Sequence, residues 1–195
     1  MKRILIAATA GGLIVFVWSA VAHMATPLGT AGLSTLGAGE DAVVAALKTS
    51  GAGSGLYFFP GGDMSRPTEE QMAAHMAKLQ AGPVGLLAYT AGPGEAMSPR
   101  QLLSELATGI LAAGVAAFVI SITVGTLAQR ATVVALLALF ATLSVTASYW
   151  IWYGFPAAFI AAGLVTEFVG WLLAGFAIAK IVPAPLVSAR VSVAA

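Results

Sequence analysis

The stretch PAAFIAAGLVTEFVGWLLAGFAIAKI, Pro156–Ile181, decides the fold. It carries two charges, Glu167 near its middle and Lys180 at its close. A helix needs about 20 apolar residues to cross the hydrocarbon core. In lipid every backbone polar group must be satisfied within the segment, so the stretch reads as a transmembrane helix. Three further runs read the same way: Ile4–Ala22, Leu103–Leu127 and Ala131–Trp150. The whole chain agrees, at 59% hydrophobic, 9% charged and a mean hydropathy of +0.93, where soluble domains carry roughly 25% charged residues. The predicted fold is an α-helical integral membrane protein with four transmembrane helices, within residues 1–24, 103–127, 131–150 and 156–181. A small extracytoplasmic α/β insertion (25–102) separates helices 1 and 2, and a cytoplasmic tail (182–195) follows helix 4.

The first run also has the look of a signal peptide, with Lys2-Arg3 ahead and Ala20-Val21-Ala22 behind. Its apolar core outruns the roughly 7–15 residues of a signal peptide's hydrophobic region, so we read it as an uncleaved signal anchor.

Charge placement orients the helices. Lys2, Arg3, Arg130, Lys180 and Arg190 fall on one side with no acid beside them. Lys48, Arg66, Lys78 and Arg100 fall on the other among Glu40, Asp41, Asp63, Glu69, Glu70 and Glu95, with Glu105 at the edge of the second span. The acid-free basic side is expected to be cytoplasmic. Both termini are then inside, in a multi-pass protein of the bacterial inner membrane. Tyr149, Trp150, Trp152, Tyr153 and Phe155 form an aromatic cluster at the outer interface. Net charge is +1, which gives no electrostatic case for nucleic acid. The absence of cysteine excludes disulfides, thiolate metal sites and thiol catalysis.

Short turns at Ala128-Gln129-Arg130 and Tyr153-Gly154-Phe155 predict that spans two, three and four are antiparallel neighbours. Gly109, Ala113, Ala117, Ser121 and Gly125 recur every four residues on span two, a small-residue stripe that lets another helix approach closely. Packing within the bundle is the preferred reading of that stripe, ahead of an oligomer or partner interface.

Within the insertion, Glu40–Ser50 predicts a helix, acidic at its start, with Lys48 in its last turn and Gly51 beyond. Gly55–Phe59 predicts a strand, Thr68–Gln80 a second helix with a Thr68/Gln71 capping box, and Val84–Tyr89 a second strand. At an offset of thirty, Glu40 matches Glu70, Lys48 matches Lys78, and Gly55, Leu56 and Gly62 match Gly85, Leu86 and Gly92. That pattern suggests a helix–strand duplication. A helix between two strands predicts a βαβ crossover and a parallel pair. Ser98-Pro99-Arg100-Gln101 predicts a firm helix start leading straight into span two, and Ala25–Gly39 a looser connection.

Glu167 is the sharpest candidate for function, because an intramembrane acid is costly to place. It can serve a proton or ion relay, pair with a charge on another subunit, or rest in a hydrogen bond within the bundle. Thr142 and Ser144 on span three are the expected donors for that bond. The second candidate set is His75, Met72 and Met76 on one helix face, with His23 and Met24 elsewhere. Imidazole and thioether suit copper, but methionines on an apolar helix face are ordinarily packing residues, and we expect no bound metal or cofactor. Neither a phosphate loop nor a nucleophile elbow occurs. The chain therefore reads as a non-enzyme. Its expected partners are the lipid bilayer and other membrane subunits or itself, and its expected role is an accessory, assembly or interaction subunit. The rivals are a small proton-coupled carrier or channel using Glu167, and an extracytoplasmic sensor or metal-binding module.

Overall fold

The computed structural model describes residues 1–62, 65–95 and 97–185. Asp63, Arg190 and the body of the expected tail therefore lie outside the described residues. Four helices are long and apolar enough to cross a membrane: α1 (Lys2–Ala25), α4 (Pro99–Ser121), α5 (Leu127–Tyr153) and α6 (Ala157–Ile181). This is the pattern of a helical multi-pass membrane protein. Between α1 and α4 come α2 (Glu40–Thr49), β1 (Gly55–Phe59), α3 (Glu69–Ala81) and β2 (Gly85–Tyr89). The described residues divide into two compact units, one within 1–33, 97–150 and 155–185, the other within 34–95 and 151–154.

The helix starts follow from local chemistry. Thr68 and Gln71 close a capping box on α3, and Ser98 and Gln101 close one on α4 with Pro99 in its first turn. Each box satisfies two of the orphan N–H groups at a helix start. The second span ends at Ser121 and not at Leu127, so Gly125 lies beyond the helix, at φ +145. The third begins at Leu127 and not at Ala131. A further reciprocal pair sets that start: Gln129 N–H donates to Thr126 Oγ1 at 3.2 Å, and Thr126 N–H to Gln129 Oε1 at 2.9 Å. Residues 128–130, expected as a turn, are the first turn of α5.

The order of packing also differs from expectation. The centre of the membrane unit is α1, which lies along both α4 and α6. Small residues make this possible. A Cβ on Gly12 would meet the backbone of Ile110 at 2.7 Å, and one on Gly170 would meet Trp18 at 2.7 Å. Trp18 Nε1–H donates to the Thr166 carbonyl at 2.9 Å, clasping α1 to α6. The buried set is mostly alanine, including Ala7, Ala113, Ala117 and Ala174, and the largest fully buried side chains are only Ile120, Ile178 and Val134. In lipid, where apolar burial gives helices little reason to associate, such close backbone approach is the packing that holds them.

Residues 26–33, expected to be loose, belong to this unit. Thr26 accepts a hydrogen bond from Leu28 N–H at 3.2 Å and starts a short 3-10 turn, Pro27–Thr30. Gly32, at φ +74, lies so close to the backbone and Cβ of Phe159 that a side chain would collide with them.

In the other unit the strands are antiparallel, which corrects the parallel crossover. The pairing runs Gly55↔Tyr89, Tyr57↔Leu87 and Phe59↔Gly85. Each strand maps onto the other by the thirty-residue offset, the central pair Tyr57↔Leu87 onto itself and each of the others onto another pair of the same ladder. Two like strands related by a two-fold axis pair in this way; a parallel pair would need them related by translation. The segment 60–84, including α3, leaves and returns at the same end of the sheet. Among the described residues 34–95, none is buried.

Candidate functional site

Glu167 stands on α6 between Gly163 and Gly170. Gly170, one turn on, faces Trp18 of α1, whereas Gly163, one turn back, faces open space. Glu167 lines a groove of about 520 Å³ formed by α4, α5 and α6. Ala112, Val115, Ala116 and Val119 make one wall, and Val134, Leu137, Ala138, Ala141 and Thr142 the other, with Trp171 beside the acid.

The groove exists because α5 packs over only half its length. Near its start it presses on α6: a Cβ on Gly175 would sit 2.7 Å from the Ala131 carbonyl. The buried residues of α5 are Arg130, Ala131, Val134, Ala135 and Ala138, all in its first half. Beyond Ala138 no residue of α5 is buried, and Phe140, Val145 and Trp150 are exposed.

Within the groove, Trp171 Nε1–H donates to Glu167 Oε2 at 2.9 Å. This is the only hydrogen bond to Glu167 given by the described residues. The donors expected from span three do not supply it. Thr142 Oγ1–H donates to the Ala138 carbonyl at 2.9 Å and Ser144 Oγ–H to the Phe140 carbonyl at 2.7 Å, each back into its own helix. Hydroxyls on a helix often bond the carbonyl four residues back. The residue one turn along was the better donor.

Arg130 escaped the sequence reading as anything more than a surface charge. It is 3% exposed. One guanidinium nitrogen donates to the Ala179 carbonyl at 3.1 Å; the other donates to the carbonyls of Ile120 and Val182, both at 2.9 Å. Those carbonyls lie at the ends of α4 and α6, where helix carbonyls run out of intrahelical donors and a cation complements both helix dipoles; that of Ile120 also accepts from Thr123 N–H at 3.2 Å. The signal that could have found it was Thr126-x-x-Gln129, which draws Arg130 into the helix.

The other candidates are dispersed. Gly109 lies on Gly12, and Ala113 and Ala117 are fully buried, so that part of the stripe is used within the bundle. Ser121 closes α4 with its hydroxyl on the Phe118 carbonyl, and Gly125 is off the helix. His75, Met72 and Met76 share α3, with both methionines exposed. His23 and Met24 line a separate pocket of about 200 Å³ with Glu105 and Met97. There His23 Nδ1–H donates to the Ser19 carbonyl at 2.9 Å, and Ser19 Oγ–H to Glu105 Oε1 at 3.1 Å. Among the described residues no three His, Cys, Asp or Glu side chains gather as metal ligands.

No family model matches the chain, and no curated protein or solved structure matches it either.

Proposed function

We propose that the protein is a non-catalytic accessory or assembly subunit of a larger bacterial membrane complex, and that the groove beside Glu167 receives a transmembrane helix of another subunit. The observation that carries this reading is the half-packed α5. Its second half offers exposed apolar side chains and faces walls rich in alanine, the surface that close helix packing uses in lipid. The 34–96 unit points the same way. A two-stranded sheet with no buried residue is marginal alone, and a partner that covers it would give it the missing core.

The basic residues orient this reading. Lys2, Arg3, Arg130 and Lys180 stand at the end of the bundle where α1 and α5 begin and α4 and α6 finish. The positive-inside rule places that end in the cytoplasm, with both termini inside and residues 34–96 outside the inner membrane.

The test is gentle detergent extraction from native membranes followed by native mass spectrometry. A stoichiometric complex with at least one other membrane protein is expected. A single species, the chain alone, would overturn the reading.

A further inference from the structure

Resting on that reading, we infer that the helix received by the groove carries a lysine or arginine at the depth of Glu167, and that the two form an intramembrane ion pair. The argument is one of charge complementarity. Glu167 stands ten residues into α6, about 15 Å along the helix at 1.5 Å per residue. A charged or polar group at such depth is costly and is ordinarily paired. Among the described residues Glu167 has one neutral donor, Trp171, and no cation is seen to reach it. Lys180 is thirteen residues further along α6, roughly 20 Å away on the axis. Arg130 is committed to carbonyls at that same end. Lys2 and Arg3 begin α1, whose first half packs near Ile178, and Arg100 lies in the first turn of α4.

The shape of the groove narrows the occupant. Lipid headgroups sit at the interface, and acyl chains bring nothing to a carboxyl at mid-depth. The α5 wall of the groove runs from Val134 to Thr142, about 12 Å along the helix, and the uncovered stretch of α5 continues beyond it to Trp150. Ala112, Ala116, Ala138 and Ala141 leave room for a backbone to approach. A helix delivering one long basic side chain fills the groove and meets Glu167 together.

Photo-crosslinking in native membranes tests this, with p-benzoylphenylalanine at Ala141, inside the groove. The expected product joins Ala141 to a transmembrane segment of another protein that holds a Lys or Arg within one turn of the crosslinked residue. Glu167→Gln should lower its yield by roughly tenfold or more, as neutralising one member of a desolvated charge pair does, and Glu167→Asp should retain most of it. A crosslinked helix with no basic residue, a crosslink to a second copy of this chain, or a yield unchanged by Glu167→Gln would overturn the inference while leaving helix docking in place. Crosslinks to lipid or a small amphiphile alone would overturn both. Thermal unfolding of the purified Glu167→Gln chain, expected near that of wild type, separates a lost contact from a lost fold.

Discussion

Arg130 and Glu167 are both ionisable residues set among apolar helices, yet their surroundings are opposites. Arg130 is enclosed, with three carbonyls from the ends of α4 and α6 on its guanidinium. Glu167 opens onto a groove and holds one hydrogen bond from its own helix. The difference teaches how to separate structural from functional polarity in this membrane unit. The terminal nitrogens of Arg130 tie α4 and α6 together, while its buried Nε has no partner among the described residues. Glu167, beside an uncovered apolar face, is the residue that our proposal assigns to a contact outside the chain.

The contrast is open to direct attack, beginning where the effect should be largest. Arg130→Met removes the charged donor from three carbonyls, of which that of Ile120 keeps Thr123 N–H, and hydrogen bonds to charged groups contribute about 1.5–3 kcal/mol each. We expect the purified chain to lose about 3 kcal/mol or more in a denaturation series, with Arg130→Lys recovering part of it. Next come the glycines of the packed side. Gly170→Val drives a branched side chain into Trp18 and should cost about 1–3 kcal/mol through overpacking. Gly163→Ala, with open space around it, should be neutral or stabilising by up to about 1 kcal/mol because alanine is the better helix former. If the two behave alike, this side of α6 is not packed at Gly170 and open two turns earlier at Gly163. Thr126→Ala removes the cap that places Arg130 and should cost about 1 kcal/mol. The smallest effect is expected from Glu167→Gln, within about 0.5 kcal/mol in the isolated chain, since the glutamine amide oxygen can still accept from Trp171 Nε1–H.

Much of this was legible before the structure. The four spans stand out because the bilayer imposes length and apolarity on each. The boxes at Thr68/Gln71 and Ser98/Gln101 are visible because each places its partners three residues apart. The same spacing at Thr126/Gln129 straddles the end of the expected second span and the expected turn at 128–130, which hides it and the burial of Arg130 with it. The strand ranges and their thirty-residue offset could be read directly. The pairing direction could not, because a duplicated unit can be related by translation or by a two-fold axis, and sequence does not distinguish them. The groove was invisible for a similar reason. Apolarity shows that α5 suits lipid and records nothing of which half finds neighbours. Only the close contact at Gly175 and the bare stretch after Ala138 show where it parts from the bundle.

Tryptophan quenching by brominated lipid acyl chains tests the central claim most directly. A variant that keeps Trp171 as its sole tryptophan, with Trp18, Trp150 and Trp152 replaced by phenylalanine, reports on the groove beside Glu167. In the purified chain reconstituted alone, lipid should enter the open groove and quench Trp171 strongly. In the complex drawn intact from native membranes and reconstituted in the same lipid, the partner helix should shield it. Strong protection of Trp171 in the isolated chain, or equal quenching in the chain and the complex, would contradict the account.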